Sequence, residues 1–195
     1  MDSGNIGFVL LCAAFVFVMT PGLAMFYGGL VRKKNVVNTM MTSIFIIGVG
    51  IVMWVLFGYS LSFAPSGNAF IGDFRWLGLE GVSLTEGYTD GASIPNMVFS
   101  AFQMMFAVIT PALITGAVAG RMKFKSIFVF TIFWSLIVYY PLAHMVWGQG
   151  GLLGADGIGA LDFAGGDVVH ISSGVSALVL CVLLGKRHDY EHSIY

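Results

Sequence analysis

Residues 6–31 read IGFVLLCAAFVFVMTPGLAMFYGGLV, without an Asp, Glu, Lys, Arg or His, and Arg32, Lys33 and Lys34 follow at once. About 20 apolar residues suffice to carry a helix across roughly 30 Å of hydrocarbon. An apolar run of this length, closed by a basic triplet, predicts a membrane-spanning helix. It has no basic stretch ahead of it, since Asp2 is the one early charge, so a retained helix is expected rather than a cleaved secretory leader.

The rest of the chain repeats this pattern. Charge-free windows run from Lys34 to Asp73, from Gly91 to Gly120 and from Ser126 to Ala143; a last one, from Val168 to Gly185, is broken only by His170. Of the 195 residues, 57% are hydrophobic and 10% charged, and the mean hydropathy is +0.88. A water-soluble domain carries about 25% charged residues, so lipid must be this chain's main solvent. The long runs lack the strict alternation of a barrel strand, which leaves helices as the spanning form. Five transmembrane helices are predicted, near 5–30, 38–62, 95–119, 126–147 and 167–185, in an all-α polytopic fold.

Eight of the nine Lys and Arg residues fall after the first, third and fifth helices: Arg32, Lys33, Lys34, Arg121, Lys123, Lys125, Lys186 and Arg187. The alternate loops hold Asp73, Glu80, Glu86, Asp90 and Asp156, with a lone Arg75. The positive-inside rule then sets the N-terminus outside and the C-terminus in the cytoplasm. The tail 188–195 is expected on the cytoplasmic side and is otherwise unassigned. The long outer loop, about Phe63 to Ile94, reads as a connector with a short structured segment around Phe74–Leu79.

Cys12 and Cys181 sit in apolar runs and read as small buried hydrophobes, without disulfide or zinc spacing. Gly116 and Gly120 form a GxxxG pair suited to close helix packing. Gly148, Gly150, Gly151, Gly154, Gly157 and Gly159 predict an irregular backbone path bordering a cavity. No basic residue accompanies them, so a phosphate cradle is not expected. Pro21, Pro111 and Pro141 fall inside spans, where kinks are tolerated if freed carbonyls find partners.

Ionisable groups at membrane depth are rare and usually face a partner, a bundle interior or water. Asp162 and Asp167 precede the fifth helix, and His170 lies one turn into it. His170 is either a satisfied structural histidine or a proton-handling group; the second reading predicts that it faces the bundle. Asp167 is either a helix N-cap or part of a site. Asp162 either ties loop amides together or offsets the cost of bringing a cation out of water. Phe102 and Phe106 share one face of the third helix, as packing or as a site. Trp147 belongs either to the interfacial aromatic belt or to a cation site that uses its indole face. His144 is assigned no role.

In combination these features become specific. Thr20-Pro21-Gly22-Leu23-Ala24-Met25-Phe26-Tyr27-Gly28-Gly29-Leu30-Val31-Arg32 resembles the first helix of the Amt/MEP/Rh ammonium transporters. Phe102-Gln103-Met104-Met105-Phe106-Ala107, Ala143-His144-Met145-Val146-Trp147-Gly148 and the stretch from Leu161 to His170 are similar to that family's third-helix, fourth-helix and fifth-helix signatures. The likeness runs in order from the first helix to Lys186-Arg187.

The resemblance implies the first of two inverted five-helix halves. It implies an outer ammonium site at Phe102 and Trp147 and an aromatic gate at Phe106. It further implies a buried acid at Asp162, a backbone carbonyl from Ala164, and His170 as the first of two facing pore histidines. It also implies a homotrimer in the cytoplasmic membrane and a PII-type cytoplasmic regulator. No cofactor, nucleic acid or enzymatic turnover is expected, because His and Asp would move protons without covalent chemistry. The second histidine, the second gate phenylalanine and an outer-site serine do not occur in this sequence. Asp167 stands where the family commonly has a small hydroxyl residue. A half-length sensor or interaction subunit that does not transport, and a channel for another small neutral solute, are the competing readings.

Overall fold

The computed structural model describes residues 1–65, 68–155 and 157–187. Gly67 and Asp156, expected in outer loops, and the tail 188–195 lie outside the described residues. Each charge-poor window forms one helical rod: α1 (Ser3–Gly29), α2 (Lys33–Phe63), α3 (Asn96–Val118), α4 (Phe124–Trp147) and α5 (Gly166–Leu184). No strand occurs among the described residues. The chain is an all-helical, multi-pass membrane protein with five helices among the described residues long and apolar enough to span.

Small and hydroxylated residues set the packing, as expected where lipid removes the hydrophobic force between helices. Gly50 of α2 faces Val108 of α3 so closely that a Cβ there would lie 3.2 Å from the Val108 Cα. Two helical turns away, the hydroxyls of Ser43 and Thr115 meet at 2.9 Å across the same interface, buried. Tyr27 of α1 donates its hydroxyl to the Leu113 carbonyl at 2.9 Å, and its ring covers Gly116. Gly120 lies past the end of α3 in the left-handed region at φ 71° and adjoins no helix face closely. The GxxxG pair is therefore split: Gly116 seats an aromatic ring, whereas Gly120 turns the chain after the helix has ended.

Three rods contain a wide, π-type turn: Trp54–Gly58 in α2, Ser135–Tyr139 in α4 and Gly166–Ile171 at the start of α5. Such turns hold one residue more than the α-helix and often mark functional regions. The first two adjoin each other, because the Tyr140 ring lies over Gly58, where a Cβ would come within 2.7 Å of it. Pro141, which lacks an amide hydrogen, stands two residues past the end of the second.

The loop from Ala64 to Pro95 is more than a connector. Trp76 stacks on Tyr59 of α2 with ring centroids 5.4 Å apart, and Tyr88 stacks on Phe99 of α3 at 4.8 Å. A short 3-10 turn, Leu77–Leu79, lies in the expected segment. Buried Ser60 donates to the Asp73 carbonyl at 2.7 Å and accepts from the Trp76 amide at 3.0 Å, which anchors the loop's first turn. In that turn Arg75 pairs with Asp73 at 2.7 Å and, through its side-chain hydrogen bond, holds the Asp73 carboxyl below the usual carboxylate range. His144 of α4, left without a role by the sequence, is fully buried. Its ring nitrogens meet the carbonyls of Ser62 at 3.1 Å and Asn68 at 2.8 Å, which ties the fourth helix to the same loop.

At the opposite end the bases gather. Arg121 donates to the carbonyls of Ala117 and Gly185 and to the Cys181 sulfur, which joins the ends of α3 and α5. Cys12 and Cys181 are free and only half buried. This is the end that the positive-inside rule assigns to the cytoplasm.

Candidate functional site

At the outer end, the chain leaving α4 turns back over the helix it has just left. The amides of Leu153 and Gly154 both donate to the Met145 carbonyl, at 2.8 and 2.9 Å, and so satisfy an orphan C-terminal acceptor. Gly151 permits this return, since a Cβ there would stand 2.3 Å from the His144 carbonyl oxygen. The returning segment delivers Asp162 to Trp147, whose indole N–H donates to the Asp162 carbonyl at 3.2 Å.

The Asp162 carboxylate has a defined task. One oxygen accepts from the Gly166 amide at 2.7 Å; the other accepts from Asp167 and Val168 at 2.9 and 3.0 Å. It thereby caps the orphan amides of α5 and places a negative charge at the positive end of the helix dipole. Gly165 occupies the cap position itself, at φ 81°. The N-cap reading of Asp167 is therefore corrected. Asp167 lies inside the first turn, and the acid that satisfies this helix stands five residues earlier.

Trp147 and Asp162 border a cavity of about 660 Å³ whose wall also includes Tyr88, Phe99, Gln103 and Phe163. Tyr88 shows that the long outer loop forms part of this wall. Its position is held from two sides: Gln149 donates its backbone amide to the Tyr88 hydroxyl at 3.1 Å and its side-chain amide to the Tyr88 carbonyl at 2.8 Å. Gln103 was not singled out from sequence. Its side-chain oxygen is buried and has no hydrogen-bond partner among the described residues. An unpaired buried acceptor in a cavity wall invites a donor.

Phe102 and Phe106 form a pair on α3, with centroids 5.0 Å apart and rings at 80°. Both are half buried. Ala164 is exposed in the loop before α5, between Asp162 and the cap.

His170 departs from its expected orientation. It lies in the wide turn of α5, its amide donating to the Gly165 carbonyl at 2.9 Å, and its side chain is exposed on the surface of this chain. The buried register belongs to Val168, Val169, Ser172 and Ser173. The expectation that His170 faces the interior of the five-helix bundle is corrected: Val168, Val169, Ser172 and Ser173 keep the three- and four-residue spacing of one helix face, and position 170 falls off it. The exposed side of α5 continues through Ile171, Val175, Leu178 and Val182, and the loop adds Leu161 and Phe163, the latter fully exposed. A long apolar face thus carries one imidazole.

The family described as the Ammonium Transporter Family matches residues 7–194, a span that includes most of the otherwise unassigned tail. The chain is similar to an ammonium transporter of Bacillus subtilis (strain 168), 53% identical over 190 residues, 97% of this chain and 46% of the relative. It is 45% identical over 190 residues to ammonium transporter 1 of Dictyostelium discoideum, 97% of this chain and 41% of that protein. Among solved structures, Mep2 of Candida albicans superposes with a TM-score of 0.85 at 35% identity, covering 97% of this chain and 41% of the other. A protein described as a sensor Amt protein superposes at 0.82 with 27% identity, covering 95% and 45%. The chain therefore spans less than half the length of these relatives.

Proposed function

Because the chain belongs to the ammonium transporter family, we propose that it supplies one wall of a path that recruits ammonium at its outer end and carries ammonia inward. The observation that carries the reading is the lock between Trp147 and Asp162 at the outer cavity. An indole face and a nearby carboxylate both favour a small cation, the first by about 1–2 kcal/mol once the cation is partly desolvated. Phe102 completes the recruitment site with Trp147, the Ala164 carbonyl adds an acceptor, and the unpaired Gln103 oxygen accepts a further ammonium N–H. Phe106 is the gate below them.

Bare ammonium is costly in hydrocarbon, whereas ammonia is not. A site that holds the cation and then separates its proton would exclude potassium, which has no proton to give. His170 accepts or relays that proton. Its exposure fits a pore wall whose opposite side comes from outside these residues, as expected where relatives are more than twice as long. Such a protein moves a solute and makes no covalent bond. It acts in the cytoplasmic membrane as a homotrimer, with a PII-type regulator on its basic face.

The test is uptake of radiolabelled methylammonium into vesicles, comparing the chain with its Trp147→Ala and His170→Ala variants. Uptake abolished or strongly reduced in both supports the reading; uptake indifferent to both removes the pore assignment. No uptake by the purified chain would remove autonomous transport. The likeness to a sensor Amt protein supports a second reading, in which the outer site binds ammonium without transport. That reading predicts ammonium binding that depends on Trp147, with no uptake in any variant.

A further inference from the structure

The outer cavity is much larger than an ammonium ion. At about 660 Å³ it falls among pockets that hold small organic molecules, roughly 300–1,000 Å³. Ammonium is close in size to a water molecule, whose share of liquid volume is about 30 Å³. Most of the cavity wall therefore lies beyond the reach of the ion's N–H groups.

That wall is chiefly aromatic. Tyr88 and Phe99 stack nearly parallel, with centroids 4.8 Å apart and 5° between the rings. Phe63, fully buried and outside the cavity lining, meets both edge-on at 5.5 and 5.1 Å, so the stack is fixed before any ligand arrives. Trp147 commits its N–H to the Asp162 carbonyl, which leaves the ring for contact. Phe163, fully exposed, adds a further ring.

Polar groups are few. The Asp162 carboxylate supplies negative charge, but its two oxygens already accept three amides. Among the described cavity-lining residues, Gln103 alone carries a buried side-chain acceptor without a partner. It stands four residues after Phe99 on one face of α3, which sets the acceptor beside the aromatic stack. A nearby charge, one unpaired acceptor and a rigid apolar wall complement a cation that carries an alkyl group.

We propose that this cavity binds primary alkylammonium ions of three or four carbons, with the ammonium group donating to Gln103 Oε1 and the alkyl chain against Tyr88, Phe99 and Phe163. The inference rests on the reading of the cavity as a cation site and is independent of transport. Each methylene removed from water strengthens binding roughly fourfold. Affinity therefore rises with chain length, whereas a site fitted to ammonium alone loses affinity with each added carbon.

The test is isothermal titration calorimetry of the purified chain in detergent with methyl-, ethyl-, propyl- and butylammonium chloride at fixed ionic strength. Titrations into detergent alone are subtracted, and 1-butanol serves as the neutral counterpart. Butylammonium should bind roughly thirtyfold tighter than methylammonium, and well above 1-butanol. Phe163→Ala, which alters only a fully exposed ring, should flatten this gradient. Gln103→Leu should weaken every cation by roughly tenfold and leave the gradient in place. Affinity that is level or falling with chain length, while methylammonium still binds, would overturn the inference and leave the ammonium reading standing. Binding of 1-butanol as tight as that of butylammonium, or no binding of any cation, would overturn both. A gradient unchanged in Phe163→Ala would put the alkyl chain elsewhere and overturn the assignment of the site.

Discussion

Trp147 and Asp162 hold each other through the backbone of one and the ring of the other: the indole N–H bonds the Asp162 carbonyl at 3.2 Å, while the Asp162 carboxylate caps α5. One residue thus links the end of the fourth helix to the start of the fifth. The aromatic face, the acid and the helix that carries His170 consequently move as a unit.

Asp162→Ala should therefore act on stability as well as on transport. Removing the acceptor leaves three amides at a helix start without their partner, a loss of about 1–2 kcal/mol. The expected outcome is a lower thermal unfolding midpoint in detergent, measured alongside methylammonium uptake. Asp162→Asn, which keeps one acceptor oxygen, should recover part of the midpoint.

Trp147→Ala removes both the indole face and the hydrogen bond to the loop. A cation–π contribution of about 1–2 kcal/mol corresponds to roughly a tenfold weaker apparent affinity for methylammonium. Trp147→Phe keeps an aromatic face and should fall between the two, as concentration-dependent uptake will show.

His144→Ala should lower stability by about 1–3 kcal/mol, since it leaves a buried void and strips the Ser62 and Asn68 carbonyls of their partner. It should also loosen the outer loop, read as faster amide exchange around Trp76 and Tyr88. A loop that keeps its protection in this variant would show that the aromatic stacking suffices to hold it.

Gly58→Ala and Gly22→Ala form a matched pair. A methyl at Gly58 meets the Tyr140 ring at 2.7 Å, whereas one at Gly22 meets nothing within 4 Å. The first should destabilise by about 1–3 kcal/mol through overpacking. The second should be neutral or slightly stabilising, because alanine favours a helix over glycine by about 1 kcal/mol. Thermal midpoints of the two variants check this directly.

The Asp73 carboxyl is held low by its hydrogen bond from Arg75. A carboxyl whose folded value lies below its unfolded one adds stability above the unfolded value, and that contribution fades as pH falls through the folded one. The pair is exposed, so the effect is small and screened by salt. A shallow acid limb in the pH dependence of the unfolding midpoint should be present in the unaltered chain and absent in Asp73→Asn.

Long-range order was legible in the sequence because it rests on composition: windows without charge and basic residues at alternate ends. Finer features rest on geometry that a residue pattern does not encode. The wide turns in α2, α4 and α5 leave no signature of composition. His170 was misplaced because which face of α5 the other helices cover, that of Val168, Val169, Ser172 and Ser173, is a matter of tertiary packing. The cap of α5 comes from Asp162 and not from the nearer Asp167, because a loop folding back on itself decides which acid reaches the amides. The unpaired Gln103 oxygen and the burial of His144 depend on a loop whose packing, through Trp76 and Tyr88, is tertiary. The glycine run after Gly148 was the one local signal that correctly announced an irregular path beside a cavity.

The extra residue in the Trp54–Gly58 turn rotates everything beyond it by about 100° relative to an unbroken helix. Through this offset α2 serves as two components on one axis. Its lower part turns Phe45 toward Phe128, while its upper part brings Gly58 beneath Tyr140. A single-codon deletion inside that turn would remove the extra residue and keep both components in place, whereas one in the regular helix on either side would throw them out of phase with each other. Tolerance to such deletions should therefore change abruptly along the helix, whereas tolerance to substitutions varies gradually.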